Sequence, residues 1–164
     1  MLTQVAAAAL IDYKLWADEL TFDHVVKLPP GEARRERPTL FKSIIGTLNH
    51  IYVVDLIWRA HLEGREHGFT SRKVILHDDI AQLRDSQRAC NEWFKDWCLH
   101  QTDATLNEAI TFRFIAGNAG RMSRGAIVLH LVNHGSYHRG WADDLSYQVP
   151  AEPPTTDLCV YFAR

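Results

Sequence analysis

The stretch His130–Gly140, HLVNHGSYHRG, places histidines at 130, 134 and 138 in a segment that otherwise reads as helix. Histidine is a middling helix former. Buried without a partner, its ring nitrogens cost roughly 1–3 kcal/mol. Continued in both directions, the segment carries Ile127, Leu131, His134, His138, Trp141 and Leu145 at steps of four, three, four, three and four. Those steps describe one apolar face of a helix from about Ser123 to Tyr147, with two histidines in its middle.

A second segment, from about Leu40 to Leu62, repeats the pattern with Ile44, Leu48, Ile51, Asp55, Trp58 and Leu62, Asp55 being the intruder. His50 lies on the flank of that face beside Val54 and Ile57. Two further helices are expected, from about Thr3 to Val26 and from His77 to His100, the latter with Asp78 and Asp79 suited to its positive end. Between the third and fourth long helices, EAITFRFIAGNAGRMSRG alternates Ile110, Phe112 and Phe114 with Thr111 and Arg113 before Gly-Asn, the pattern of a short strand or hairpin. No GK[ST] ends its glycines, so it is not a phosphate loop. Four long helices in 164 residues, with no repeat or linker, predict an all-α fold, a four-helix bundle in one domain spanning 1–164. The tail TTDLCVYFAR carries apolar residues to dock on it.

Composition narrows the function. A net charge of −2 gives no electrostatic footprint for nucleic acid. GEARRER, bounded by proline and glycine, alternates bases with acids and reads as a solvated loop. Cys90, Cys98 and Cys159 are odd in number and lack CxxC spacing. That argues against a disulfide scaffold or zinc ribbon and fits a reducing cytoplasm. MLTQVAAAALIDYKLW has no basic region before its apolar run, and Asp12 interrupts it, so neither a signal peptide nor a membrane anchor is expected.

Metal coordination answers the question raised by the histidines. Residues at i and i+4 project from one helix face about 6 Å apart along the axis, close enough to chelate one ion. His130 and His138 are separated by about 12 Å and rotated by about 80°, so all three histidines do not readily share an ion. The apolar face contains His134 and His138 but not His130. The expected ligand set is therefore His50, His134 and His138, with an open position for a thiol or water. Against this stands packing, because an HxxxH pair is by itself a weak signal. Asp55 reads as a hydrogen-bonded structural residue, with a proton-transfer role as the lesser alternative. Tyr137 faces away from the pair. His24, His61, His67, His77 and His100 read as helix-end or surface residues, and the five tryptophans as core.

Four pieces, in order, resemble the DinB family (DinB/YfiT-like): DYKLWADELTFDHV, SIIGTLNHIYVVDLIWRAHL, HLVNHGSYHRG with its HxxxHRG signature, and PPTTDLCVYFAR. The resemblance covers nearly the whole chain. It implies a four-helix bundle holding a divalent metal on three histidines, carried over here onto His50, His134 and His138, and a homodimer. It also implies a metal-dependent enzyme acting on a small molecule, with transfer of a low-molecular-weight thiol in stress or detoxification as the leading reaction. A metal-dependent hydrolase and a non-enzymatic metal- or ligand-binding stress protein are the alternatives. Nickel or zinc is expected first, with manganese or iron next, since imidazole suits several of these metals. The family often continues HRG with glutamine where this chain has Trp141, which bears on the polarity of the pocket.

Overall fold

The computed structural model describes residues 2–164. Its elements are α1 (Gln4–Val26), α2 (Ile44–Leu62), α3 (Ile80–Leu99), α4 (Asp103–Asn107), β1 (Ala109–Arg113), β2 (Ala119–Ser123), α5 (Arg124–Ser146) and α6 (Leu158–Phe162). The long helices α1, α2, α3 and α5 pack so that α1 and α2 each touch both α3 and α5. The molecule is mostly helical rather than purely all-α, because the expected hairpin forms. No helix among the described residues is long and apolar enough to cross a membrane.

Side chains that accept orphan amides set the helix starts. Thr3 accepts from Ala6, Ser43 from Gly46, Asp79 from Ala81 and Gln82, and Ser123 from Ala126. These caps correct two expected boundaries. α2 begins at Ile44 rather than Leu40, because Phe41 and Lys42 turn back ahead of the Ser43 cap, with Lys42 at φ 69°. α3 begins at Ile80 rather than His77, because Asp79 stands outside the helix as its cap. The one-turn helices α4 and α6 were not expected. In the tail, Tyr161 packs against Tyr13 and Trp16, while Phe162 stays exposed.

The hairpin pairs β1 and β2 antiparallel, with Phe112 opposite Gly120. A Cβ at Gly120 would fall 2.5 Å from Phe112 Cζ, so the ring lies over bare backbone. From there it reaches Trp58 of α2, centroid to centroid 4.8 Å. The sheet thereby closes one end of the groove between α2 and α5.

Two apolar clusters fill the interior. One is built around Ile11, Phe94, Ile127 and Leu131, the other around Phe22, Ile44, Leu83 and Leu145. At the changeover between them lies a buried polar layer from all four long helices. Lys14 Nζ donates to Asp18 (2.7 Å), Asp55 (2.7 Å) and Asn91 (2.8 Å). Arg139 Nη1 donates to Asp18 at 2.8 Å, and Gln87 donates to Asp55 at 2.7 Å. Taken out of water, these charges are held only by mutual pairing. Burial alone would lower the Lys14 pKa, but Asp18 and Asp55 raise it. Burial holds Asp55 above the usual carboxylate range against the pull of Lys14.

The GEARRER loop departs from its expected solvated character at one residue. Arg37 is buried, donating to the Glu32 carbonyl (2.9 Å) and carboxylate (2.8 Å), so the loop wraps around its own guanidinium. The tryptophans also divide: Trp58 is buried, whereas Trp16, Trp93, Trp97 and Trp141 are half-buried.

Candidate metal centre

One turn of α5 separates His134 from His138, and α2 brings His50 to meet them. Each of the three offers one ring nitrogen, and these atoms lie within 4.8 Å of one another. His50 and His134 approach to 3.1 Å between their Nε2 atoms. The ring centroids are 4.5 Å apart for His50–His138 and for His134–His138.

The orientation of His50 is set from outside the group. Its Nδ1 lies 2.9 Å from the Arg72 carbonyl, which can only accept, so Nδ1 carries the proton and Nε2 keeps its lone pair for the centre. The neighbouring residue holds that carbonyl's loop in place. Buried Asn49 donates to the His77 carbonyl (2.9 Å) and accepts from the Leu76 and His77 amides (2.8 and 3.1 Å). Phe41 stacks on the other face of His50 with centroids 4.1 Å apart and planes 17° apart. Trp141 packs against both His138 and Phe41, so this side of the centre is aromatic.

Burial governs protonation. It pushes His134 down to about 2, with the neighbouring histidines adding to the effect, and His138 down to about 4. Burial also lowers His50, although the Arg72 carbonyl partly opposes it. All three are neutral imidazoles at ordinary pH, the state that ligates a cation. The buried Nδ1 atoms of His134 and His138 have no hydrogen-bond partner among the described residues. Three neutral rings, each offering one nitrogen to a common point, are a donor set that fits a divalent ion.

Other candidates fall outside the group. His130 contacts Trp58 and His134 without joining the three. Asp55 is wholly buried and committed to Lys14 and Gln87, which bears out its structural reading. Tyr137 is exposed. His61 and His67 lie ring to ring at the end of α2 and in the following loop. Sequence reasoning missed Lys14, Asp18 and Arg139, which form the polar layer beside the centre. Their signal was present: Ile11, Lys14, Asp18, Phe22 and Val25 step by three and four, placing two charges among apolar positions.

Two cavities meet at the histidines, with His134 and Arg72 lining both. One, of about 340 Å³, adds Phe41, His50, Ser71, Lys73 and His138. The other, of about 560 Å³, runs under the hairpin along Val54, Trp58, Phe112, Phe114 and His130.

The fold is similar to the crystal structure of a DinB-like protein from Bacillus cereus ATCC 10987, with a TM-score of 0.64 and 20% identity, covering 85% of this chain and 90% of that one. In sequence, the chain is 24% identical to Protein DinB of Bacillus subtilis (strain 168) over 164 residues, covering 94% of this chain and 92% of the relative. The profile of the DinB family matches residues 1–163, and the chain belongs to that family.

Proposed function

We propose that this chain is a metal-dependent enzyme of the four-helix-bundle DinB type, acting on a small molecule, with transfer of a low-molecular-weight thiol as its reaction. His50, His134 and His138 hold one divalent ion, nickel or zinc first and manganese or iron next. The observation that carries this reading is the convergence of three neutral imidazoles within 4.8 Å, His50 and His138 buried and His134 half-buried. When bound, a divalent cation with three protein ligands keeps a position open and lowers the pKa of a thiol or water there.

The residues supply the rest. The Arg72 carbonyl fixes the tautomer of His50, and Phe41 holds its ring against rotation. Phe41 and Trp141 shield the histidines from water on one side, and the two cavities give access on the others. Hydrolysis is the weaker reading, since it needs a base beside bound water. No Asp or Glu lines either cavity among the described residues, which leaves a neutral imidazole such as His130 as the candidate base. Function in the cytoplasm, from the cysteine usage, and as a homodimer, by analogy with the family, completes the proposal.

Elemental analysis of tag-free protein, purified without added metal or chelator, tests the centre. About one ion per chain is expected, lost in His50→Ala, His134→Ala and His138→Ala and kept in His130→Ala. No metal in the wild type, and none taken up on titration with nickel, zinc, manganese or iron, overturns the metalloenzyme reading. With metal established, turnover of thiols with electrophiles, lost in His134→Ala without loss of fold, separates an enzyme from a metal-binding stress protein.

A further inference from the structure

We infer that the cavity under the hairpin is the subsite for the substrate body, and that it selects a small anionic molecule with an aromatic or branched apolar body. The inference deepens the proposed function and rests on it in one respect: His134 joins the cavity to the metal centre.

The volume, about 560 Å³, lies within the range of roughly 300–1,000 Å³ typical of small-molecule sites. Its apolar wall is formed by Val54 and Trp58 from α2, Phe112 and Phe114 from the hairpin, and Ile115 from the turn, with His61, Asn118 and His130 as neutral polar groups beside it. Phe114 belongs to this wall and is half exposed, so part of its surface is free of packed neighbours. Burial of an aromatic body there contributes about 25 cal/mol for each Å² of apolar surface removed from water.

Charge decides the second half. Arg72 and Arg113 line this cavity, and Arg72 with Lys73 lines the adjoining one. None of these three cations pairs with a carboxylate among the described residues, whereas Arg34, Arg37, Arg59, Arg84, Arg88, Arg124 and Arg139 all do. With no acid in either lining, the field inside is positive before any metal enters, and low-dielectric walls concentrate it. Arg72 borders both chambers. It is placed to take a carboxylate or similar anion by two parallel hydrogen bonds while the apolar body lies under the hairpin. An ammonium-bearing body is repelled by the same field.

Isothermal titration of metal-free protein with 2-naphthoate, 2-naphthalenemethanol and 2-naphthylmethylamine tests this, since the three share a body and differ in charge. One naphthoate per chain is expected, with the alcohol at least about tenfold weaker and the amine weaker still. Arg72→Ala removes the preference for the acid over the alcohol, and Phe114→Ala weakens both about tenfold. Both side chains are exposed, and circular dichroism confirms that each variant keeps its helices. Equal affinity for acid and alcohol, absence of one-to-one binding, or indifference to Phe114→Ala overturns the inference. Metal uptake by the same preparations is read separately, so failure of the centre and failure of the subsite are distinguishable.

Discussion

The backbone carbonyl of Phe41 occupies the space in which a side chain at position 46 would begin: a Cβ built on Gly46 lies 2.0 Å from that oxygen. Gly46 therefore does more than tolerate a turn. It lets the segment before α2 fold back onto the helix's own first turn, which carries the Phe41 ring onto His50. Gly46→Ala forces the carbonyl aside and is expected to destabilise the protein by about 1–3 kcal/mol, the scale of overpacking. Metal affinity should fall with it. Gly140→Ala is the opposite control, since nothing lies within 4 Å of its Cβ. There, helix propensity predicts a gain of up to about 1 kcal/mol. Urea denaturation of the two variants checks both signs, and a neutral Gly46→Ala contradicts the account of Phe41.

Lys14 joins three of the four long helices through one ammonium group, bonding to Asp18, Asp55 and Asn91. Lys14→Met removes the charge while keeping the length, leaving Asp55 with Gln87 as its remaining donor. Breaking a buried pair in this way costs about 3–5 kcal/mol. Asp55→Asn is expected to cost less, because burial already drives that carboxyl toward its neutral form. Chemical denaturation ranks the two, and a Lys14→Met cost below about 1 kcal/mol would show that the layer does not hold the helices together.

The histidine pair was legible in sequence because both members share one helix face, so the 3.6-residue period alone puts them together. His50 was visible only as a flank residue, since its approach to His134 is a tertiary contact across 84 positions. The polar layer was harder still. Arg139 meets Asp18 across 121 positions, and a charged residue in an amphipathic helix ordinarily belongs to the solvent face. Helices α4 and α6, of five residues each, are too short for any period to register. The hairpin was readable because Ile110, Phe112 and Phe114 alternate, whereas the cavity beneath it depends on how the sheet lies over α2.

The cysteines divide by burial. Cys90 and Cys98 pack inside α3, and burial pushes both thiols up to about 12. Cys159 lies exposed in α6. A thiolate is the reactive form, so a thiol-specific disulfide reagent at neutral pH is expected to titrate one group in the native protein and three after unfolding. Fast reaction of a second native thiol would mean that α3 opens readily.

Metal-free protein should lose stability in acid because of the same burial that keeps the ligands neutral. An unfolded histidine titrates near 6.5, whereas in the fold His134 is driven down to about 2 and His138 to about 4. Between those values the unfolded chain binds protons that the folded chain refuses, so stability rises with pH in that window. The contribution is complete above about pH 6.5 and is lost progressively as the pH falls toward the folded values. Asp143 works in the opposite direction, since burial raises it to about 6 and its folded form takes up a proton first. Wild type is therefore compared with His134→Gln, which keeps an amide in the site but has no proton to gain. The melting temperature of metal-free wild type is expected to fall between pH 7.5 and 5, and that of His134→Gln to fall less steeply. Parallel curves would mean that His134 is protonated in the fold, and the neutral-ligand account of the centre would fail with it.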